Sequence, residues 1–477
     1  MSGETGILGF GAYVPRHRLQ RRAVVEANAW FVPGLRGLGK GHRSFANWDE
    51  DAVTMAVEAA RDCLKQDRGV ERVWLASTTL PFEDRNHAGI VCDALSLGSD
   101  LRVQDLGGSR RAATTALLEA LESPRSTLVI ASECRDPKPG VADELQTGHG
   151  AAAFRVGAGD PVAVLRAAGS RHDDLVDRYR ADAENGDYVL EERWVRDEGL
   201  RGVLANLIRG TLADAGVDAG SVTYLVLPIA DRQAASLARS LGLEGAARPT
   251  LLDTDIGMPG AAHAALGLSW ALGRAAPGDR ILVAGFGQGA DVLLLEARPA
   301  LAQHQPHAID AGATTEEDNY VRYLALRSRL SLGLGIRFER DSRTAMSAFH
   351  RKREDVTGFV GGRCPLCGTL QFPATAVCVA CRARVELTPE SLADLLGRVK
   401  SFTEDWQAAT PRPPLMFGSV DFPGDATVVM EFTDCEPGSI SVGDPVRMMF
   451  RIKDVDDRRH FRRYFWKPAP ALESADG

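Results

Sequence analysis

The first 300 residues run through one succession of elements twice. Asp49–Leu64 reads as a helix and Arg72–Thr78 as a strand. Asp105-Leu-Gly-Gly-Ser-Arg-Arg-Ala-Ala-Thr-Thr-Ala-Leu-Leu118 is a glycine loop feeding a buried helix. Ser126–Ser132 is a strand, and Gly148–Val156 turns into another. The same order returns in Glu198–Gly216, Val222–Pro228, Ile256–Leu266, Arg280–Gly285 and Gly287–Leu295. Five elements repeated at an offset of roughly 140–150 residues are too many for chance similarity of αβ units. The chain is expected to hold a duplicated α/β domain over residues 1–300, with halves at about 1–160 and 161–300, each built on a mostly parallel sheet. Ligands of such sheets bind at the C-terminal strand ends, where the two glycine loops would face each other.

Composition sets bounds on what this domain does. The chain is 44% hydrophobic and 25% charged, as suits a globular protein with a real core, and its net charge of −8 offers no basic footprint for nucleic acid. No apolar run approaches the roughly 18 residues of a membrane span. The start, Met-Ser-Gly-Glu-Thr-Gly, lacks the basic-then-apolar pattern of a signal peptide. Four of the eight cysteines are scattered, which is no disulfide framework. A cytoplasmic protein is expected.

The loop at 105–111 is the first candidate site. Free N–H groups gather where a helix begins, and the positive helix end favours an anion or a nucleophile. The loop offers Ser109 and Arg110 and no cysteine. Ser109 is a candidate nucleophile if a base reaches it, and His263, in the second glycine loop's helix, is the candidate base. Arg110 is a candidate for holding a phosphate, a carboxylate or an enolate oxygen. The plainer readings are a glycine turn before a core helix, an Arg110 ion pair with Asp105 or a nearby acid, and a satisfied core or surface histidine. His149, in Gly148-His-Gly150, reads as structural. Glu83, Asp84 and Arg85 read as a solvated turn or as part of a substrate channel, and Trp194, Tyr179 and Tyr188 as core packing or the wall of an acyl pocket.

Residues 301–350 form a connector, polar over Gln303–Glu317 and helical around Tyr320–Arg327. Residues 351–477 open with Cys364-Pro-Leu-Cys367 and Cys378-Val-Ala-Cys381, two Cys-x-x-Cys pairs ten residues apart. Each pair suits a tight turn, so four thiolates are expected to converge on one tetrahedral Zn²⁺; the other reading is a redox dithiol or buried thiols. Four sulfur ligands leave no open position, so this zinc would be structural. Short strands separated by Gly and Pro turns follow, reading as a small barrel-like β domain. Ala469–Gly477 reads as a frayed end.

Residues 5–297 resemble the thiolase superfamily, closest to the branch of hydroxymethylglutaryl-CoA synthase and the initiating ketoacyl synthases. Gly6–Pro15, Asn47–Ala60, Pro277–Val283 and Gly285–Ala290 carry the likeness. The C-terminal part is similar to the zinc-ribbon and OB-fold domain found beside thiolase-like acyl-CoA enzymes, through Gly362–Gly368, Phe372-Pro373, the second cysteine pair and Tyr464–Pro468. The resemblance implies an α/β fold: a duplicated thiolase-like αβαβα domain followed by a zinc ribbon and a small OB-type β-barrel. It implies a cysteine nucleophile where this chain has Arg110 with Ser109 beside it. The histidine's place falls within Leu227–Asp231, the asparagine's on Met258, and the synthase glutamate's on Thr78 or Thr79. All four places depart from the family pattern, which argues against an acyl-cysteine intermediate.

Two functions follow as expectations. One is an acyl-CoA-dependent enzyme that forms or cleaves a carbon–carbon bond, of Claisen or aldol type, with Ser109, Arg110 and His263 at its site and a coenzyme A thioester or acyl-carrier substrate. The other is a non-catalytic acyl-CoA-binding scaffold, or partner subunit, for a separate thiolase. A homodimer is implied by the resemblance; nucleic acid and membrane are not expected partners.

Overall fold

The computed structural model describes residues 3–65, 67–181, 186–304, 314–333, 345–456 and 458–471. Most of the polar start of the connector and the last six residues lie outside them. The chain divides into two compact units. The first comprises Met1–Ala46, Asp51–Gly89 and Ser99–Tyr323; the second comprises Leu324–Gly477 with Asn47–Glu50 and Ile90–Gly98.

The first unit is built on nine strands: β1 (Glu4–Tyr13), β2 (Arg72–Ala76), β3 (Arg102–Leu106), β4 (Thr127–Cys134), β5 (His149–Gly159), β6 (Ala163–His172), β7 (Tyr224–Val226), β8 (Arg280–Phe286) and β9 (Gly289–Ala297). Their order is β7-β8-β9-β6-β1-β5-β4-β2-β3. The duplication is visible in this order: reading outward from the centre, β1-β5-β4-β2 answers β6-β9-β8-β7. The two halves join at the centre through one pairing, Ile7 with Ala163. The expectation of a mostly parallel sheet is corrected. Only β3-β2-β4 and β7-β8 run parallel, and the remaining pairings are antiparallel. The cause is connection length. Only Gly287 and Gln288 separate β8 from β9, and so short a turn reverses the chain.

Four helices set the layers: α1 (Ala52–Leu64), α2 (Ala112–Leu121), α3 (Ala205–Asp214) and α4 (His263–Leu272). Helices α2 and α4 pack on each other and on strands of both halves; α1 covers the first half and α3 the second. This is an αβαβα sandwich, and its centre explains the uncharged helices. All ten residues of α4 are buried, and alanines at 112, 113, 116 and 120 keep α2 slim. Close approach is built in: a Cβ on Gly285 of β8 would stand 2.0 Å from Thr114 Oγ1 of α2. Helix α1 starts on a capping box. Asp51 accepts from the Val53 and Thr54 amides at 2.9 and 3.1 Å, while Thr54 Oγ1 accepts from the Asp51 amide; such a cap contributes about 1 kcal/mol. Between β1 and α1 also lie a helix (Arg21–Asn28), a 3-10 turn (Pro33–Leu38) and a strand (His42–Phe45).

In the second unit, strands β10 (Val360–Arg363), β11 (Leu370–Gln371) and β12 (Thr388–Ser391) frame the two cysteine pairs. Then β13 (Gly397–Asp405), β14 (Leu415–Asp421), β15 (Thr427–Glu431), β16 (Pro445–Asp456) and β17 (Phe461–Pro470) form an antiparallel sheet ordered β15-β14-β13-β16-β17. The Thr433 amide, just past β15, donates to Pro468 O of β17 at 2.9 Å. The sheet is thus rolled until its two ends meet, without a continuous ladder closing it.

Candidate active site and metal centre

The loop from β3 into α2 is pinned from both sides. Ser109 Oγ donates to Gly287 O at 2.7 Å, in the turn between β8 and β9. Arg111 pairs at 2.9 Å with Asp291 of β9, which is fully buried and also accepts from Thr114, Thr115 and Ser170. The start of α2 is therefore held by strands of the opposite half. The Ser109 proton is committed to a carbonyl, and no hydrogen bond joins Ser109 to His263.

His263, buried at the start of α4, shares its Nε2 proton with Leu227 O at 3.1 Å. Its Nδ1 is buried and without a partner among the described residues. Burial, with the Arg110 charge adding to it, pushes the imidazole down to about 4 against the hydrogen bond to Leu227 O, so the ring is neutral at physiological pH. With Leu227 and Met258 it lines a cavity of about 20 Å³.

Arg110 makes no side-chain hydrogen bond among the described residues, and its Nε is buried. The nearest carboxylate is Asp187 at 3.9 Å. Asp187 is already taken: Arg135 reaches it at 2.5 and 2.6 Å and Arg178 at 3.1 Å. Arg178, in the short pairing of Arg178–Tyr179 with Tyr188–Val189, also forks onto Asp143 at 2.6 and 3.1 Å. Burial lowers Arg110 to about 10, and the charges of Arg178 and Arg135 push the same way; it stays a cation at neutral pH. Behind this cluster, fully buried Glu133 accepts from Thr78 Oγ1 at 2.8 Å and from the Ala261 amide of the second glycine loop at 3.1 Å. A separate groove of about 400 Å³ runs beside β3, lined by Trp74, Gln104, Leu106, Ser109, Arg111 and Thr115.

The other sequence candidates fall elsewhere. His149 is fully buried and satisfied: Nδ1 accepts from the Ala46 amide at 2.9 Å and Nε2 donates to Arg135 O at 2.8 Å, as befits a structural residue. Glu83 and Asp84 are exposed. Tyr179, Tyr188 and Trp194 are also exposed, so core packing does not describe them. Sequence reasoning missed Glu133, Arg135, Arg178 and Asp187, which share no local motif.

The four cysteines form a metal centre. Their sulfurs all lie within 4.8 Å of one another, with Cys364 to Cys381 at 3.8 Å and Cys367 to Cys378 at 3.6 Å. A tetrahedron with Zn–S bonds of about 2.3 Å has edges of about 3.8 Å, whereas a disulfide needs about 2 Å. The two turns are copies of each other. The Cys364 amide donates to Thr369 O and the Cys378 amide to Ala383 O, and Gly368 and Arg382 hold equivalent left-handed positions at φ +77° and +62°. Donor set and spacing fit structural Zn²⁺.

Comparison with known proteins agrees with both units. Residues 357–388 match the family model described as the ChsH2 rubredoxin-like zinc ribbon domain. A hydroxymethylglutaryl-CoA synthase of Pyrobaculum neutrophilum is 27% identical over 356 residues, covering 69% of this chain and 99% of that protein. Among solved structures, MvaS in complex with 3-hydroxy-3-methylglutaryl coenzyme A aligns with a TM-score of 0.53 at 18% identity, over 64% of this chain and 86% of that one. The 3-oxoacyl-[acyl-carrier-protein] synthase III of Aquifex aeolicus aligns with a TM-score of 0.53 at 20% identity, over 61% and 99%. No helix among the described residues is long and apolar enough to cross a membrane. The chain is thus a thiolase-fold protein with hydroxymethylglutaryl-CoA synthases among its sequence relatives, carrying a ChsH2-type zinc ribbon in its second unit.

Proposed function

We propose that this protein acts on coenzyme A thioesters, making or breaking a carbon–carbon bond beside the thioester carbonyl without an acyl-enzyme intermediate. The observation that carries this reading is the occupancy of the first helix start: a cation, Arg110, beside a serine whose proton is already given to Gly287 O. An acyl-serine needs a base on the hydroxyl; aldol chemistry needs only a base and a site for the enolate. In the cleavage direction, neutral His263 takes the proton of a β-hydroxyl. The Cα–Cβ bond breaks, its electron pair enters the thioester as an enolate, and a carbonyl compound leaves. The amides at the start of α2 and the field of Arg110 stabilise the enolate oxygen until Cα is reprotonated.

Intact-protein mass spectrometry after exposure to a panel of acyl-CoAs, with an assay for carbonyl release from β-hydroxyacyl-CoAs, tests this. The expected result is binding, carbonyl product and no adduct. A stable acyl mass on the Ser109 peptide replaces the reading with acyl-serine chemistry. Undiminished turnover in His263→Ala removes that residue from the mechanism.

A second reading is a non-catalytic scaffold that binds acyl-CoA or partners a separate thiolase. It is favoured by His263 Nδ1 sitting buried against a cavity of about 20 Å³, away from the groove. Binding without turnover selects it. Either reading includes a homodimer, supported by β3, the last strand of the sheet, with the 400 Å³ groove beside it. Light scattering is expected to give twice the chain mass, and a monomer at micromolar concentration overturns it.

A further inference from the structure

A buried acceptor and a small cavity meet at the start of α4. His263 is 5% exposed, and its Nε2 lies 3.1 Å from Leu227 O. A carbonyl oxygen only accepts, so Nε2 carries the proton of the neutral ring and Nδ1 carries the lone pair. Nδ1 is buried and has no hydrogen-bond partner among the described residues. A buried acceptor left unpaired is costly, and native proteins almost always give such a group a partner, ordered water included.

The cavity of about 20 Å³ that His263 lines supplies the space. On that scale a single water needs roughly 10–15 Å³, so the cavity takes one. Much of its wall is apolar and buried: Leu225, Leu227, Ala234 and Leu252. The same cavity is lined by Asp231, the first residue of the helix Asp231–Leu241, and by Arg248, which pairs with it at 3.0 Å. Their side chains are 31% and 21% exposed, so the cavity has a dry wall and a charged edge that meets solvent. We propose that this cavity binds a single water molecule that donates to His263 Nδ1, and that His263 exchanges protons with solvent through that water, past the Asp231–Arg248 pair. When the ring is protonated, the water gives its proton to Nδ1 as the N–H bond forms and takes one up from solvent, so that the oxygen ends as water again. The route uses neither Ser109 nor Arg110.

Two measurements on the full-length protein test this. Neither uses an acyl-CoA, so this proposal and the thioester reading can fail separately. The first is a crystal structure of the wild type, expected to hold one water within hydrogen-bond distance of His263 Nδ1. The second is deuterium exchange at the imidazole C2 carbon, read by mass spectrometry of the peptide that contains His263. C2 adjoins Nδ1, and its exchange needs a protonated ring with water beside it. Ala234→Val fills the cavity from its buried wall and is expected to slow this exchange at least about tenfold. Ala234→Cys, a smaller plug, is expected to slow it less. Arg248→Ala opens the charged edge and is expected to speed it. The absence of a water at Nδ1 overturns the proposal, as does a wild-type rate in the folded Ala234 variants. An unchanged rate in Arg248→Ala overturns the route past that pair.

Discussion

His263 ties the acid sensitivity of the fold to the candidate site. Its folded value of about 4 lies below the ordinary 6.5, through burial first and the Arg110 charge second. Between those values the unfolded chain binds a proton that the folded chain refuses. Stability therefore rises with pH across the window and is lost as pH falls through it, by up to roughly 3 kcal/mol. Urea melts of wild type and His263→Gln at pH 7 and pH 4.5 check this, and the variant is expected to lose that part of the difference. At this scale the sequence exposes Ser109 and Arg110, because a glycine loop opening onto an uncharged helix marks a buried helix start. Arg135 and Asp187 are invisible in it. They are 52 residues apart and meet where β4 ends, beside the pairing of Arg178–Tyr179 with Tyr188–Val189.

Elements were legible where local chemistry is repeated or spaced. The duplicated order of strands and helices, and the two Cys-x-x-Cys turns, follow from sequence alone. Strand direction does not, since a hydrophobic run packs equally well either way round; the two-residue gap at Gly287-Gln288 was the available signal for antiparallel β8 and β9. The helix at Arg21–Asn28 leaves little trace in the sequence, because it is eight residues long, follows Gln20, whose side chain makes no cap, and begins with two arginines. The zinc ribbon has few buried apolar groups of its own, so its fold is expected to depend on the metal. Cys364→Ser, or chelation, is expected to raise amide exchange across 360–391. Exchange in β4, β5 and α4 of the first unit is expected to stay unchanged by hydrogen-exchange mass spectrometry.

At the scale of the whole molecule, the second unit is assembled from three separate stretches of chain, and buried charges join two of them. Arg451 of β16, fully buried, pairs with Glu50 at 3.1 Å and Asp434 at 2.8 Å. Lys467 of β17 pairs with Asp49 at 3.1 Å and lies 4.4 Å from the Trp48 ring centre. Unit membership of this kind is set by contacts between residues some 400 positions apart, which no local pattern records. Arg451→Met strands two buried carboxylates and is expected to cost about 3–5 kcal/mol in chemical denaturation.

This interlacing bears on how such a protein comes apart. A protease that nicks the chain between Tyr323 and Val360 would sever the backbone without releasing two free halves, because Asn47–Glu50 and Ile90–Gly98 stay threaded into the piece that carries the zinc. The nicked material is expected to travel as one species in gel filtration and to fall into two only in denaturant. A gene cut at the same place would yield a C-terminal fragment that lacks Asn47–Glu50 and Ile90–Gly98 of its own unit. In inheritance as in handling, the zinc-bearing unit is not a separable stretch of chain.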